Sequence, residues 1–366
     1  MPSRLRNFIL FLIISYPFYY FVPQVGDVLS HFFEIVYFFF IDVLILFYLS
    51  FFITRFRVAG LAFFICFCVW LTQFSSISDI RPYFFILTLF LLSVYSVQEN
   101  GEFNYGILRL YPIIFIFLSF ISLFLPWSYI DAGARFKGFS LSPTHYSVYG
   151  LCAMIFSLYF LRNTVLKWFC VIAITYFIFR SETRLALAVL LMIFSFAFFD
   201  KITLRLKSII ASLIIILFSL SYIVYSLITK YTDVFSLRYS GGDDKSYEAR
   251  TIIQGHVLDD WQNSTLFQYV FGHGAESARN MLIDIYGFDI MPHNDFLKLL
   301  YDFGLIGFIV FIFAVFKCGR LNLITLSLLA VYISAFYHNM AYSIFAIAIM
   351  VVLNSKRNNQ VNTVYK

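Results

Sequence analysis

The chain has 366 residues, of which 61% are hydrophobic, 22% aromatic and only 13% charged, and its mean hydropathy is +0.84. That composition excludes a soluble globular protein and indicates an integral membrane protein. The formal charge of +6 comes from Lys and Arg scattered over short loops, not gathered into a patch. It excludes a nucleic-acid partner and reflects the cytoplasmic bias of basic residues in membrane proteins.

A helix needs about 20 mostly apolar residues to cross ~30 Å of hydrocarbon, and runs of that kind recur from Phe8 to Leu353. They are far longer than the ~10-residue alternating strands of an outer-membrane barrel. The expected fold is an all-α bundle of about 12 transmembrane helices. Arg4 and Arg6 precede the first run, 7–23, which lacks a small-x-small cleavage site and is therefore read as a retained span rather than a signal peptide. Further spans are expected at 33–54, 58–74, 82–97, 107–126, 144–161, 168–180, 184–199, 208–228, 296–316, 321–337 and 340–353. Cys66, Cys68, Cys152, Cys170 and Cys318 lie in or beside these runs and suggest neither a disulfide nor a zinc framework.

With both termini in the cytoplasm, Arg55, Arg57, Arg109, Arg162, Lys167, Lys201, Arg205, Lys207, Lys317 and Arg320 all fall inside. The division that follows is nine spans over 1–228, a long outer loop over 229–295, and three spans with a cytoplasmic tail over 296–366. All six histidines, His31, His145, His256, His273, His293 and His338, then fall at or near the outer face.

The loop is not a linker. Ile253, Val257, Leu258, Trp261 and Leu266 in "TIIQGHVLDDWQNSTLFQYV" recur at near-helical spacing, which predicts amphipathic helices packed on the bundle's outer face. The loop also holds ten of the twenty acidic residues against five basic ones. Such a balance does not suit a purely electrostatic anion receptor and leaves room for a carved site with a few aimed arginines. "SGGDDKSYE" lacks both the P-loop pattern and the EF-hand frame, so Asp243 and Asp244, like Asp259 and Asp260, are read as solvated acids and no metal is expected. Trp127, Trp261 and Tyr269 are read as packing residues before sugar platforms. No internal repeat marks a transporter built from duplicated halves.

His293 stands where the loop re-enters the membrane, and Asn294 and Asp295 are placed to cap the helix that begins near Phe296. It reads either as an interfacial histidine beside a cap or as a reactive group. Gly304 and Gly307 in the following "GLIG" read as a close-packing face.

"HNDFLKLLYDFGLIGF" resembles the His-Asn-x-Phe-Leu and Gly-Leu-Ile-Gly signature of the O-antigen ligase and O-antigen polymerase superfamily. Other pieces follow the family order. "RFKGFSLSPTHYSVYG" is similar to its Arg-x-x-Gly-Phe segment, with Ser142-Pro143-Thr144 in place of Asn-Pro-Asn. "SETRLALAVLL" places Arg184 in the arginine position, "EARTIIQGHVLDDW" supplies Arg250, and "VFGHGAES" resembles the Phe-Gly-x-Gly turn.

The resemblance implies a GT-C-like enzyme of the bacterial inner membrane, with its long loop in the periplasm and no cofactor. Its donor would be an oligosaccharide on a polyprenyl (undecaprenyl) diphosphate, with membrane lipid and a chain-length regulator protein as partners. Arg135, Arg184 and, at the break between two runs, Arg180 would bind the diphosphate, since guanidinium groups pair with phosphate oxygens at any relevant pH. His293 and Arg250 would be catalytic, with Asn294 and Asp295 orienting. The expected activity is polymerisation of repeat units; the alternatives are ligation of glycan to lipid A core and, from another class, a lipid-linked oligosaccharide flippase.

Overall fold

The computed structural model describes residues 58–74, 80–94, 106–130, 135–140, 142–198, 245–292 and 294–319, with isolated positions outside these ranges. Helices α1 (Val58–Thr72), α2 (Ile80–Val94), α3 (Gly106–Ser122), α4 (Pro143–Phe160), α5 (Thr164–Arg180) and α6 (Arg184–Phe198) follow the expected spans to within a few residues. The loop contributes α7 (Lys245–Gln262), α8 (Leu266–Phe271) and α9 (Ser277–Tyr286), and α10 runs from Asp295 to Gly319. The expected spans at 7–23, 33–54, 208–228, 321–337 and 340–353 lie wholly or largely outside the described residues.

Two local features depart from the sequence reading. A two-stranded antiparallel hairpin, β1 (Tyr129–Ile130) with β2 (Arg135–Phe136), interrupts the otherwise helical chain between α3 and α4. The fifth helix begins at Thr164, not 168, because Asn163 Oδ1 accepts from Leu166 N at 3.1 Å and starts the helix ahead of Lys167. The Ser142-Pro143-Thr144 variant is likewise a helix start: Ser142 Oγ accepts from His145 N at 3.2 Å, and Pro143 occupies the first helical position. A serine caps as well as the asparagine it replaces.

Large apolar side chains point outward. On α5, Val165, Phe169, Ile172, Tyr176 and Phe179 form one exposed stripe at helical spacing, and on α3 Leu110, Ile113, Phe117 and Phe120 form another. In water such faces would drive aggregation, whereas in lipid tails they cost nothing. Among the described residues one segment, Asp295–Ala314, is long and apolar enough to cross a membrane by length and composition; shorter apolar helices cover Phe63–Thr72, Pro82–Leu91, Leu108–Ser122 and Leu185–Phe198.

The helices pack in two groups. In the first, α4 is buried on nearly every side among α3, α5 and α6. Its Tyr146 ring lies 5.2 Å from Phe115 and Phe136 and 5.5 Å from Phe139, and its hydroxyl donates to Ser119 Oγ at 2.5 Å. Arg109 near the start of α3 donates to Phe160 O at the end of α4 at 3.1 Å, so these two helices are antiparallel. In the second group α10 packs along α2 and receives the loop helices α7, α8 and α9, while α8 also reaches α1.

Candidate active site

At one end of the first group four chain segments converge. Phe136, next to Arg135 in the hairpin, stacks 6.0 Å from Phe177 in the last turn of α5. That turn ends at Arg180, and the tight connection Ser181–Thr183, with Glu182 at φ +53°, leads to Arg184 at the start of α6. Thr183 Oγ1 donates to Pro143 O at 3.4 Å, which fixes this connection against the start of α4. Arg135, Arg180 and Arg184 therefore belong to one end of the bundle, Arg180 and Arg184 on two different helices either side of a turn. Arg180 Nε is buried and has no hydrogen-bond partner among the described residues. A buried guanidinium N–H without an acceptor is costly, and a ligand oxygen would relieve it.

In the second group the loop is clasped onto α10. The chain leaves helical geometry at Gly304 (φ 65°, ψ −168°), which divides α10 into two arms sharply enough for Phe296 and Phe311 to meet at 5.6 Å. The turn Phe271–Gly274 fits into this break. His273 N and Gly274 N donate to Tyr301 O and Asp302 O, each at 3.0 Å, the carbonyls just before the break.

Gly272 (φ 80°, ψ −174°) and Gly304 oppose each other backbone to backbone. A Cβ on Gly304 would stand 2.5 Å from Gly272 N, and one on Gly272 would strike the Asp302 carbonyl. Both adopt a region essentially restricted to glycine. The other face of the turn is held by α1, where Trp70 Nε1 donates to Phe271 O at 2.6 Å and Gln73 Nε2 to Gly272 O at 3.2 Å. "GLIG" is thus a helix break that admits a loop, not the helix-packing face expected from sequence.

Charge locks the clasp. Lys298 and Asp302, one turn apart on the first arm, are 2% and 0% exposed. Lys298 Nζ reaches Asp302 Oδ2 at 2.6 Å and Glu276 Oε1 at 3.0 Å. The Asp302 carboxylate also accepts from Glu276 N at 3.2 Å and Ala278 N at 3.0 Å, capping α9 from another helix. Beside it the His273 ring stacks on Tyr301 at 4.2 Å, with Nε2 2.7 Å from Ser264 Oγ and Nδ1 3.3 Å from Gln268 Nε2. Burial holds the His273 pKa below its ordinary value, while the Asp260 carboxylate pulls the other way. Tyr301 Oη in turn donates to Asp260 Oδ2 at 2.5 Å.

The expected orienting pair begins α10. Asn294 Oδ1 accepts from Phe296 N and Leu297 N at 3.1 Å, the cap read from sequence, and Asp295 is buried in the first turn. Arg250 lies on α7, one turn before Ile253, which packs with Val257, Leu258, Ala278, Leu282, Leu297 and Tyr301. The Asp260–Tyr301 bond and this shared cluster hold the helix that carries Arg250 against the first arm of α10.

His293 lies outside the described residues, as do Asp243 and Asp244; Arg184 is placed by its backbone alone. Leu266, counted with the buried face of the loop, is 80% exposed because α7 ends at Gln262 and α8 restarts at a Thr265 capping box. Trp261 and Tyr269 pair with each other, edge to face at 4.8 Å.

Sequence reasoning passed over Lys298, Asp302 and Glu276. The signal was present: a Lys and an Asp four residues apart inside an apolar run are expensive in a membrane unless they pair.

An apolar-faced helical bundle with Arg135, Arg180 and Arg184 at one end, and a helical loop clasped to a broken apolar helix, defines a helical membrane protein. Residues 168–312, from α5 through the loop to the second arm of α10, match the family model described as O-antigen ligase. The matched stretch contains Arg180, Arg184, Arg250, His293 and the residues Glu276, Lys298 and Asp302; Arg135, Trp70 and Gln73 precede it. No curated protein and no solved structure matches the chain.

Proposed function

We propose that the protein is an inner-membrane glycosyltransferase that joins polyprenyl-diphosphate-linked oligosaccharide repeats on the periplasmic side, an O-antigen polymerase. The observation that carries the reading is the buried, unpartnered Arg180 Nε at an end shared with Arg135 and Arg184, within or beside the family-matched stretch. A diphosphate is a guest that suits such guanidinium groups.

In the proposed step an acceptor sugar hydroxyl attacks the anomeric carbon of the donor. The bond from that carbon to the diphosphate oxygen breaks, and the polyprenyl diphosphate leaves with both electrons. Arg135, Arg180, Arg184 and Arg250 neutralise the departing charge. His293, whose unperturbed pKa of about 6.5 suits a base near neutral pH, takes the hydroxyl proton, with Asn294 and Asp295 orienting it. The full reading has about 12 spans, as the length and number of the apolar runs require. Both termini are cytoplasmic, and a chain-length regulator is a further partner.

The description of the matched family favours a second reading, ligation of finished glycan to lipid A core. The test is the surface-glycan ladder of a null strain complemented with Arg180→Ala, Arg250→Ala or His293→Ala, each shown to accumulate normally. Single repeats without a ladder support polymerisation. Polymer left on the polyprenyl carrier supports ligation, loss of all surface glycan points to flipping, and an unchanged ladder removes these residues from the site.

A further inference from the structure

The opposite end of the first helix group carries a groove that glycan transfer does not use. It is open, about 480 Å³, and lies between the start of α3 and the first turn of α5. Arg109, Leu110 and Ile113 line one side, on one face of α3, and Arg162, Asn163 and Leu166 line the other. The bond from Arg109 Nε to Phe160 O holds one guanidinium at the groove wall, and Arg162 stands exposed across from it. No carboxylate lines the groove among the described residues. The amide end of α5, capped by Asn163, adds to the positive potential.

The groove continues into an apolar track. Beyond Leu110 and Ile113, the exposed face of α3 runs on through Phe117 and Phe120, and beyond Leu166 the exposed stripe of α5 runs through Phe169, Ile172 and Tyr176. Positive charge at a helix-end level with two apolar faces leading away from it matches one kind of molecule, a headgroup bearing a phosphate with acyl chains attached. A free phosphate or a nucleotide would use the arginines and leave the track unexplained.

We propose that this groove binds an anionic glycerophospholipid, its phosphate between Arg109 and Arg162 and its chains along the outward faces of α3 and α5. Basic pockets between membrane helices recognise lipid headgroups in this way, and a guanidinium binds a phosphate bidentately where an ammonium cannot. The volume lies in the range of small-ligand sites. The proposal rests on the chain's residence in a membrane and is independent of the glycosyltransferase reading.

The test uses the full chain in mild detergent, offered phosphatidylglycerol or phosphatidylethanolamine at equal concentration, with retained lipid counted by native mass spectrometry. Phosphatidylglycerol is expected to be retained preferentially. Arg162→Ala, an exposed position whose replacement leaves packing intact, is expected to lower the phosphatidylglycerol-bound fraction about fivefold, the worth of one surface cation. Arg109→Lys, which keeps the charge but loses the fork, lowers it less. Equal retention of the two lipids, no change in Arg162→Ala, or displacement by millimolar inorganic phosphate would each overturn the proposal.

Discussion

The two helix groups are held together by different physics. Around α4, cohesion comes from aromatic rings and a few neutral hydrogen bonds, such as Tyr146 to Ser119. Around α10, ring contacts such as Phe303 with Trp70 and Tyr83 are joined by a buried lysine between two carboxylates and by two glycine backbones pressed together. Dispersion contacts are numerous and individually small, so a packed aromatic core yields in steps. Removing one member of a buried charge set, or adding a methyl group to a backbone-to-backbone contact, carries a large cost at a single position. These contacts hold the loop bearing Arg250 against the helix that Asn294 caps. A site meant to keep its geometry needs rigid support of that kind.

The largest expected effect comes from breaking the backbone contact. Gly272→Ala or Gly304→Ala forces a methyl group into the facing main chain at a φ that alanine avoids, at roughly 3 kcal/mol or more. Detergent-solubilised variants should lose their folded fraction well below the wild-type thermal midpoint; a wild-type midpoint for both would show that the loop does not dock into the break.

Next in size is the charge set. Lys298→Met leaves Glu276 and Asp302 buried together without their cation, which costs about 3–5 kcal/mol. Adding Glu276→Gln removes one of the two negative charges and should recover part of the loss, because Asp302 retains the amide donors of Glu276 and Ala278. Equal midpoints for the single and double variants would mean that lysine packing, not charge, is what the clasp requires.

Tyr146→Phe in the first group is expected to cost about 1 kcal/mol or less. Ser119 Oγ keeps its own bond to Phe115 O at 2.6 Å, and the three aromatic contacts of the ring survive. A loss as large as that of Lys298→Met would erase the contrast between the groups.

Much of this organisation was legible in the sequence because it follows from apolar runs and caps. Helices emerge over 58–198 where spans were expected, with ends shifted by a few residues, and Asn294 caps α10 as its position suggested. The hairpin at Tyr129–Phe136 escaped because two-residue strands carry no periodicity. The break at Gly304 escaped because a glycine pair in a membrane helix more often marks close packing, and only the distant turn at Gly272 decides between the two. Arg135 and Arg184 were named from motif resemblance and Arg180 from the break between two apolar runs, and that the three share one end depends on the hairpin meeting α5 through Phe136 and Phe177, a contact no local pattern encodes.

The smallest effect concerns pH and sharpens the comparison most selectively. His273 is held below its ordinary pKa, chiefly by burial, so the neutral ring is the native form and the unfolded chain binds the proton more readily. Its contribution to stability is then complete above the unfolded value of about 6.5 and is lost as the pH falls below it. The ring is part-exposed and Asp260 opposes the shift, so the slope is shallow. Between pH 7.5 and 5.5 the wild-type thermal midpoint should fall more steeply than that of His273→Gln, while Tyr146→Phe should track the wild-type slope because it leaves every histidine of the clasp in place. If His273→Gln falls as steeply as the wild type, the acid sensitivity belongs to another histidine and the clasp is indifferent to pH; if it falls more steeply, the neutral ring is not the form that the stack on Tyr301 selects.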